Sequence, residues 1–491
     1  MNLHVLLLPI LVPFLFGAII PLLHFKDRRW IHWYVSVVSI LTSVITLLLL
    51  TNQPEGTLLA INLAGQLEVS FHLDGLGSVF AGIIAILWPF ATLYSFEYMK
   101  HEGKEVKFFT FFTMTYGVTM GLAFAANLMT MYMFYEMLTL VTLPLVMHSM
   151  NKKSILAGRK YVFYSIGGAA FAFIGFIFIF TYGHGMAFEY GGVLDLAKVG
   201  TKAELLRLVY VLAVLGFGVK AAIFPFHGWL PRAAVAPTPV TALLHAVAVV
   251  KAGAFAIMRI TYYCFGTDFL YGSWAQNVVL VFALVTILYG SSRAVKEQHL
   301  KRRLAYSTIS NLSYIVFATA LMTPAGLVGG LTHMVCHAIM KITLFFCGGS
   351  ILYMSKREYV YEVRGIAKKM PVIMGCFTIA ALGLIGVPTL AGFASKFNIA
   401  TAAAYVDTPL GFIGILVLLI SGLLTAIYMF SVIIRAYFPG REFDVTTLDG
   451  IKDPNWLMKF PLIVFCTAIV VLGIYSTPFV EYLTKVANGL I

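Results

Sequence analysis

GVKAAIFPFHGWLPRA, residues 218–233, sets a lysine, two prolines, a histidine and a tryptophan into a chain otherwise made mostly of Leu, Val, Ile, Ala and Phe. The stretch closes an apolar run at 206–232, and thirteen similar runs flank it, at 3–24, 31–50, 76–96, 108–126, 128–149, 161–182, 238–262, 275–292, 304–322, 327–353, 372–400, 410–434 and 460–482. Each is about 20 residues long, enough to cross a hydrocarbon core of about 30 Å as a helix. With 60% hydrophobic and only 11% charged residues, against about 25% charged in soluble domains, a water-soluble fold is excluded. The expected fold is an all-α polytopic membrane protein with 14 transmembrane helices in a single domain, 1–491.

Charge placement supports the count. The net charge of +13 would suggest a nucleic-acid partner in a soluble protein, but here the loops after odd-numbered runs hold 25 lysines and arginines, Arg232 and Arg441 among them, while those after even-numbered runs hold Lys198, Lys202 and Arg207. The positive-inside rule puts the odd loops in the cytoplasm and both termini outside. The first run lacks a basic leader and a cleavage site and is expected to stay in the mature protein. Five scattered cysteines without a C-x-x-C pair suggest neither zinc nor an iron–sulfur cluster, and no cofactor is expected.

Runs seven and twelve are punctuated alike: LGFGVKAAIFPFHGW and LGLIGVPTLAGFASKF each pass from Leu-Gly to a proline and then to Gly before an aromatic residue. Pro225 and Pro388 each remove a backbone donor and free a carbonyl one turn back, so both helices are expected to break. Five helix steps separate them, which places two five-helix units, 108–262 and 275–434, in opposite orientations, the inverted-repeat pattern of transporters.

Glu136 is the sole acidic residue read near the centre of a run, and an ionisable group at that depth is a functional candidate. Its alternative is packing glue between helices. Lys220, Lys251, Lys341 and Lys396 lie comparably deep, more cations than one carboxylate neutralises. Burial disfavours a lysine's charge and a nearby carboxylate favours it, so such a set holds protons at mutually dependent affinities. Snorkelling is the bland alternative, most apt for Lys396 near a run end. His245 precedes Lys251 by six residues, and His333, His337 and Lys341 recur every four, on one helix face suited to passing protons. Met334 stands where a zinc hydrolase with H-x-x-x-H spacing carries its glutamate base, so a metal site is not expected.

With Glu136, Lys220, FPFHGWLPRAAVAPTPVTALLHA, Lys251 and Lys396 in these positions, the chain resembles the antiporter-like membrane subunits shared by respiratory complex I and the Mrp-type multisubunit cation/proton antiporters. The resemblance covers essentially all fourteen runs. It implies a relay in which Glu136 modulates Lys220 by ion pairing, Lys251 is central and Lys396 distal, with His245, His333, His337 and Lys341 lining a hydrated axis. It further implies other subunits of a hetero-oligomeric Mrp-type complex as partners, H⁺ and Na⁺ as the transported ions, membrane lipid around the chain, and a bacterial plasma membrane. The end at Ile491 and the distal lysine resemble the D-type Mrp subunit more than the longer subunits with further helices, or the complex I subunit with a distal glutamate. A lysine-rich axis suits protons better than Na⁺, which favours oxygen ligands. The rival reading is a proton-pumping subunit of a quinone oxidoreductase.

Overall fold

The computed structural model describes residues 3–65, 67–440 and 443–490; Arg441 lies outside them. All fourteen apolar runs fall on largely helical backbone. Ten helices among the described residues are long and apolar enough to cross a membrane: Leu3–Leu22, Arg28–Thr51, Gly75–Glu102, Leu128–Val146, Lys152–Tyr182, Thr238–Phe265, Trp274–Lys296, Pro324–Ser355, Pro409–Tyr437 and Trp456–Ile474. The other four runs fall short for two reasons. Runs 206–232 and 372–400 are interrupted, leaving helices of 16 and 15 residues, and Glu105–Ala123 and Leu300–Ala320 carry more polar residues.

The outer helices are amphipathic in the inverse sense to those of a soluble protein. Arg28–Thr51 buries Ser39, Thr42, Ser43 and Thr46 along one face and exposes Val37, Ile40, Leu41, Val44 and Leu48 on the other. Hydroxyls turn inward because lipid offers them no partner: Ser43 bonds Tyr116 at 2.7 Å. Pro409–Tyr437 repeats the pattern, with Ser421 inside, bonded to Ser291 at 2.5 Å and Tyr314 at 2.8 Å, and Leu416, Leu419 and Leu423 outside.

The interior is built around two helices. The most apolar stretch of Thr238–Phe265 is wholly buried and that of Pro324–Ser355 is 83% buried. Pro324–Ser355 packs against Leu300–Ala320, Thr238–Ala246, Pro371–Ile385, Ala391–Tyr405 and Trp456–Ile474. Pro324–Ser355 itself carries His333, His337 and Lys341, Thr238–Ala246 carries His245, and Ala391–Tyr405 carries Lys396.

Four details depart from the sequence reading. The fold is not purely helical, because Leu58–Ala64 and Leu67–Phe71 pair as an antiparallel hairpin, Leu58 opposite Phe71; both segments are of strand rather than helix length and lie outside the long runs. Run 238–262 breaks as well, between Thr238–Ala246 and Val249–Arg259. Run 460–482 bends at Tyr475 into Trp456–Ile474 and Ser476–Ala487. Lys301 and Arg303, counted as loop charges, are 8% and 2% exposed inside Leu300–Ala320. Their heads are satisfied by backbone: Lys301 Nζ donates to Ala236 O at 3.1 Å, and Arg303 donates to the carbonyls of Glu297 and Tyr428.

Candidate functional site

The first break explains the opening stretch. Ala203–Gly218 stops and helical turns resume at Phe226, with Ala222 between them at φ 57°, in the left-handed region. Backbone groups released by the break must find partners inside the bundle. Trp229 Nε1 donates to Val219 O at 2.8 Å, Thr286 Oγ1 accepts from Phe224 N at 3.0 Å, and Tyr135 hydroxyl donates to Phe217 O at 3.0 Å. The indole of FHGW thus repairs the irregular segment that carries Lys220.

Lys220 is 1% exposed at its side chain, and its Nζ stands 4.0 Å from Glu136 Oε1. The same Nζ donates to Tyr135 O and lies 3.4 Å from the Tyr135 ring centre. Leu128–Val146 is fixed at its start by Asn127, which caps Thr130 N at 2.7 Å and bonds Ser70 of the hairpin at 2.7 Å. Glu136 is central along this helix but 30% exposed at its side chain, so the carboxylate sits at the edge of the bundle, with Oε1 turned inward and buried.

Val249–Arg259 meets the broken segment at Gly253. A Cβ there would come within 2.4 Å of Ala221 N and 2.9 Å of the Lys220 carbonyl carbon, a separation no side chain tolerates. Two residues earlier, Lys251 is fully buried and its Nζ lies 2.7 Å from His337 Nδ1. His337 and His333 follow each other along Pro324–Ser355 with ring centres 5.7 Å apart, and His333 Nδ1 is 2.9 Å from Ser395 Oγ. Both Nε2 atoms are buried without a hydrogen-bond partner in the protein.

Ser395 adjoins Lys396 in Ala391–Tyr405, the second half of the other broken run. Pro371–Ile385 ends at Gly386, at φ 97°, and Pro388 lies in the interruption. Lys396 Nζ bonds the carbonyls of Leu384 and Ile385 at 2.8 and 3.0 Å. It caps the carboxyl end of the half-helix, where the dipole favours a cation. The residue is half-buried, and its ammonium also lies 5.3 Å from the Tyr314 ring centre.

Two expected residues stand beside this file. Lys341 donates to Leu304 O at 3.0 Å and to Ser307 Oγ. His245 packs its ring 4.8 Å from Phe345, with both nitrogens buried and unbonded. The structure therefore pairs Glu136 with Lys220, Lys251 with His337, and His333 with Ser395, while Lys396 follows Ser395 in sequence and directs its ammonium to the carbonyls of Leu384 and Ile385. Among the described residues it shows no direct bond between Lys220 and Lys251, whose elements touch through Gly253. Sequence reasoning missed Tyr135, Ser307 and Ser395, and also the break at Val247, which no proline or glycine signals. Adjacency to Glu136 and Lys396 was the available cue for Tyr135 and Ser395.

Residues 125–425 match the family model described as NADH:quinone oxidoreductase/Mrp antiporter, TM, and residues 61–109 match that of the N-terminus of NADH-ubiquinone oxidoreductase (complex I) chain 5. The chain belongs to the first of these families. It is 31% identical over 95% of its length to a probable K(+)/H(+) antiporter protein of Rhizobium meliloti, the A/B subunit, and spans 46% of that longer relative. It is 30% identical over 85% of its length to NADH-quinone oxidoreductase subunit N of Desulforudis audaxviator, covering 84% of it. In fold it is similar to a chain of the Mrp complex from Dietzia sp. DQ12-45-1b, with a TM-score of 0.84, 20% identity, and coverage of 100% of this chain and 98% of that one.

Proposed function

We propose that this chain is the proton-translocating, D-type subunit of an Mrp-type antiporter complex, moving protons along the buried Lys/His/Glu axis in exchange for cytoplasmic Na⁺. It crosses the membrane fourteen times, ten of the crossings forming two inverted five-helix units, 108–262 and 275–434, with both termini outside. The observation that carries this reading is the buried file of Lys251, His337, His333 and Ser395, with contacts of 2.7 Å between Lys251 and His337 and 2.9 Å between His333 and Ser395, flanked by Lys396 at one helix break and the Glu136 and Lys220 pair at another.

Each group has a distinct task. Glu136 biases the protonation of Lys220 through charge, across a separation that small backbone movement changes readily. Imidazoles at His337 and His333 accept at one nitrogen and donate at the other, and a bridging water spans the step between them. Lys396 holds its proton against two carbonyls of a half-helix. Lys341 and His245 supply the branch toward Leu300–Ala320. Na⁺ favours carboxylate, carbonyl and water oxygen, and the axis offers mainly cationic nitrogen, so the Na⁺ route runs at least partly through other subunits.

The test is Na⁺-dependent proton flux in inverted vesicles holding the whole complex, comparing wild type with Glu136→Ala and Lys220→Ala after assembly is verified. Loss of flux is expected; unchanged flux would overturn the proposal. A positional counterpart is Gly253→Ala, whose methyl must displace the Lys220 backbone. It should lower flux on the order of 10- to 100-fold, whereas Gly375→Ala, where a Cβ meets nothing within 4 Å, should leave it unchanged.

The relation to an oxidoreductase subunit over most of both lengths favours a second reading, a proton-pumping subunit of a complex I-like quinone oxidoreductase. Copurification with quinone-site and iron–sulfur subunits would select it over the antiporter.

A further inference from the structure

A large cavity, about 1140 Å³, opens between the first two helices, far along the chain from the lysine axis. Its mouth is formed by the turn His24, Lys26, Asp27 and Arg29, and its walls by Trp30, Trp33 and Phe16, continuing to Val12, Val37 and Leu41. We propose that this groove binds one anionic glycerophospholipid, its headgroup phosphate held by Lys26 and Arg29 and one acyl chain laid along the groove.

Three observations define the occupant. The first is charge. Arg28 of the same turn is engaged by Glu105, whereas Lys26 and Arg29 have no ion-pair partner among the described residues, and the mouth contains a single carboxylate, Asp27. Basic clusters where helices leave the membrane recognise anionic headgroups. The second is depth. From Trp30 to Leu41 a helix advances roughly 16 Å, about half of a hydrocarbon core of about 30 Å, so the apolar groove matches the acyl region of one leaflet. The third is the pair of exposed indoles, Trp30 at 62% and Trp33 at 69%, which stand just inside the charged turn, where aromatic rings settle at headgroup level. Polar end, aromatic collar and one-leaflet apolar track together describe a phospholipid.

The experiment is native mass spectrometry of the purified complex after exchange into detergent, with phosphatidylglycerol or phosphatidylcholine added back. Wild type should retain one phosphatidylglycerol per copy of this chain in preference to phosphatidylcholine. Lys26→Gln with Arg29→Gln should weaken that retention roughly 30-fold, and Val37→Trp, which plugs the groove while leaving the cations in place, should abolish it. Equal retention of the two lipids, unaltered retention in both variants, or a disulfide from Val37→Cys to a neighbouring subunit's helix would each overturn the proposal.

Discussion

Replacing His337 by alanine is expected to lower Na⁺-dependent proton flux on the order of 100-fold, the scale associated with losing one positioned acid–base group, while the complex assembles normally. Lys251 is fully buried and His337 is its one hydrogen-bond partner among the described residues, at 2.7 Å. Removing the imidazole takes away the group that stands between Lys251 and His333, and it leaves the buried Lys251 amine without its hydrogen-bond partner. His337→Gln separates these two effects: the amide oxygen restores an acceptor for Lys251 but does not take up and release a proton at neutral pH. Its flux should stay near that of the alanine variant while its assembly matches wild type. Wild-type flux in His337→Gln would mean that the proton bypasses this imidazole.

Arg259→Leu is the second large effect, and it acts on stability. Arg259 is 1% exposed at its side chain and grips Asp74 with both terminal nitrogens. The rings of Phe188, Phe255 and Tyr263 lie 4.8 to 5.0 Å from its guanidinium. Asp74 in turn caps Gly75–Glu102 through Gly77 N at 2.8 Å, so one ion pair ties the buried helix Val249–Arg259 to the start of another. Removing the cation leaves the Asp74 carboxylate, 20% exposed at its side chain, without its partner, at a cost of about 3 kcal/mol, the lower end for a buried pair. Arg259→Leu combined with Asp74→Leu should lose less, keeping mainly the cost of the missing cap, about 1 kcal/mol. Thermal unfolding of the purified complex reads both. The pH dependence has a definite sign. Burial works against the charge of Asp74, but the Arg259 guanidinium and the Gly77 N–H outweigh it and hold the carboxyl below its ordinary range. A depressed folded pKa gives stability that is complete above the unfolded value, near 3.9, and is lost as pH falls through the folded one. The thermal midpoint of wild type should therefore fall on acidification below about pH 4 more steeply than that of the double variant.

Most of the helical framework was legible because lipid imposes a simple rule, length and apolarity, which ten helices among the described residues obey. The two proline breaks were legible for the same local reason, a missing N–H. The break between His245 and Lys251 was not, since HAVAVVKAGAF contains no breaker before it. It arises where the chain is buried on every side, and neighbouring elements there dictate the backbone. The hairpin at residues 58–71 was overlooked because its two short strands lie between long apolar runs, and the first of them, LLAINLA, carries no clear period-two alternation.

For the candidate site the division is similar. In the sequence by itself, Glu136, Lys220, Lys251, Lys341 and Lys396 could be picked out as deep candidates because each is conspicuous against an apolar background, and His333, His337 and Lys341 recur at four-residue spacing on one helix, whereas the burial of Lys301, Arg303 and Arg259, at 8%, 2% and 1% exposed, was not legible. Only the tertiary structure decided who meets whom: that His337 faces Lys251 and Lys341 turns to Ser307, that Lys396 caps a half-helix, and that Glu136 stands at the bundle's edge. Those pairings depend on the packing of helices far apart in sequence. Arg259 shows the contrast most clearly. Its partner is Asp74, 185 residues away, and no local pattern links a loop aspartate to a helix end across that distance; the packing of the folded chain does.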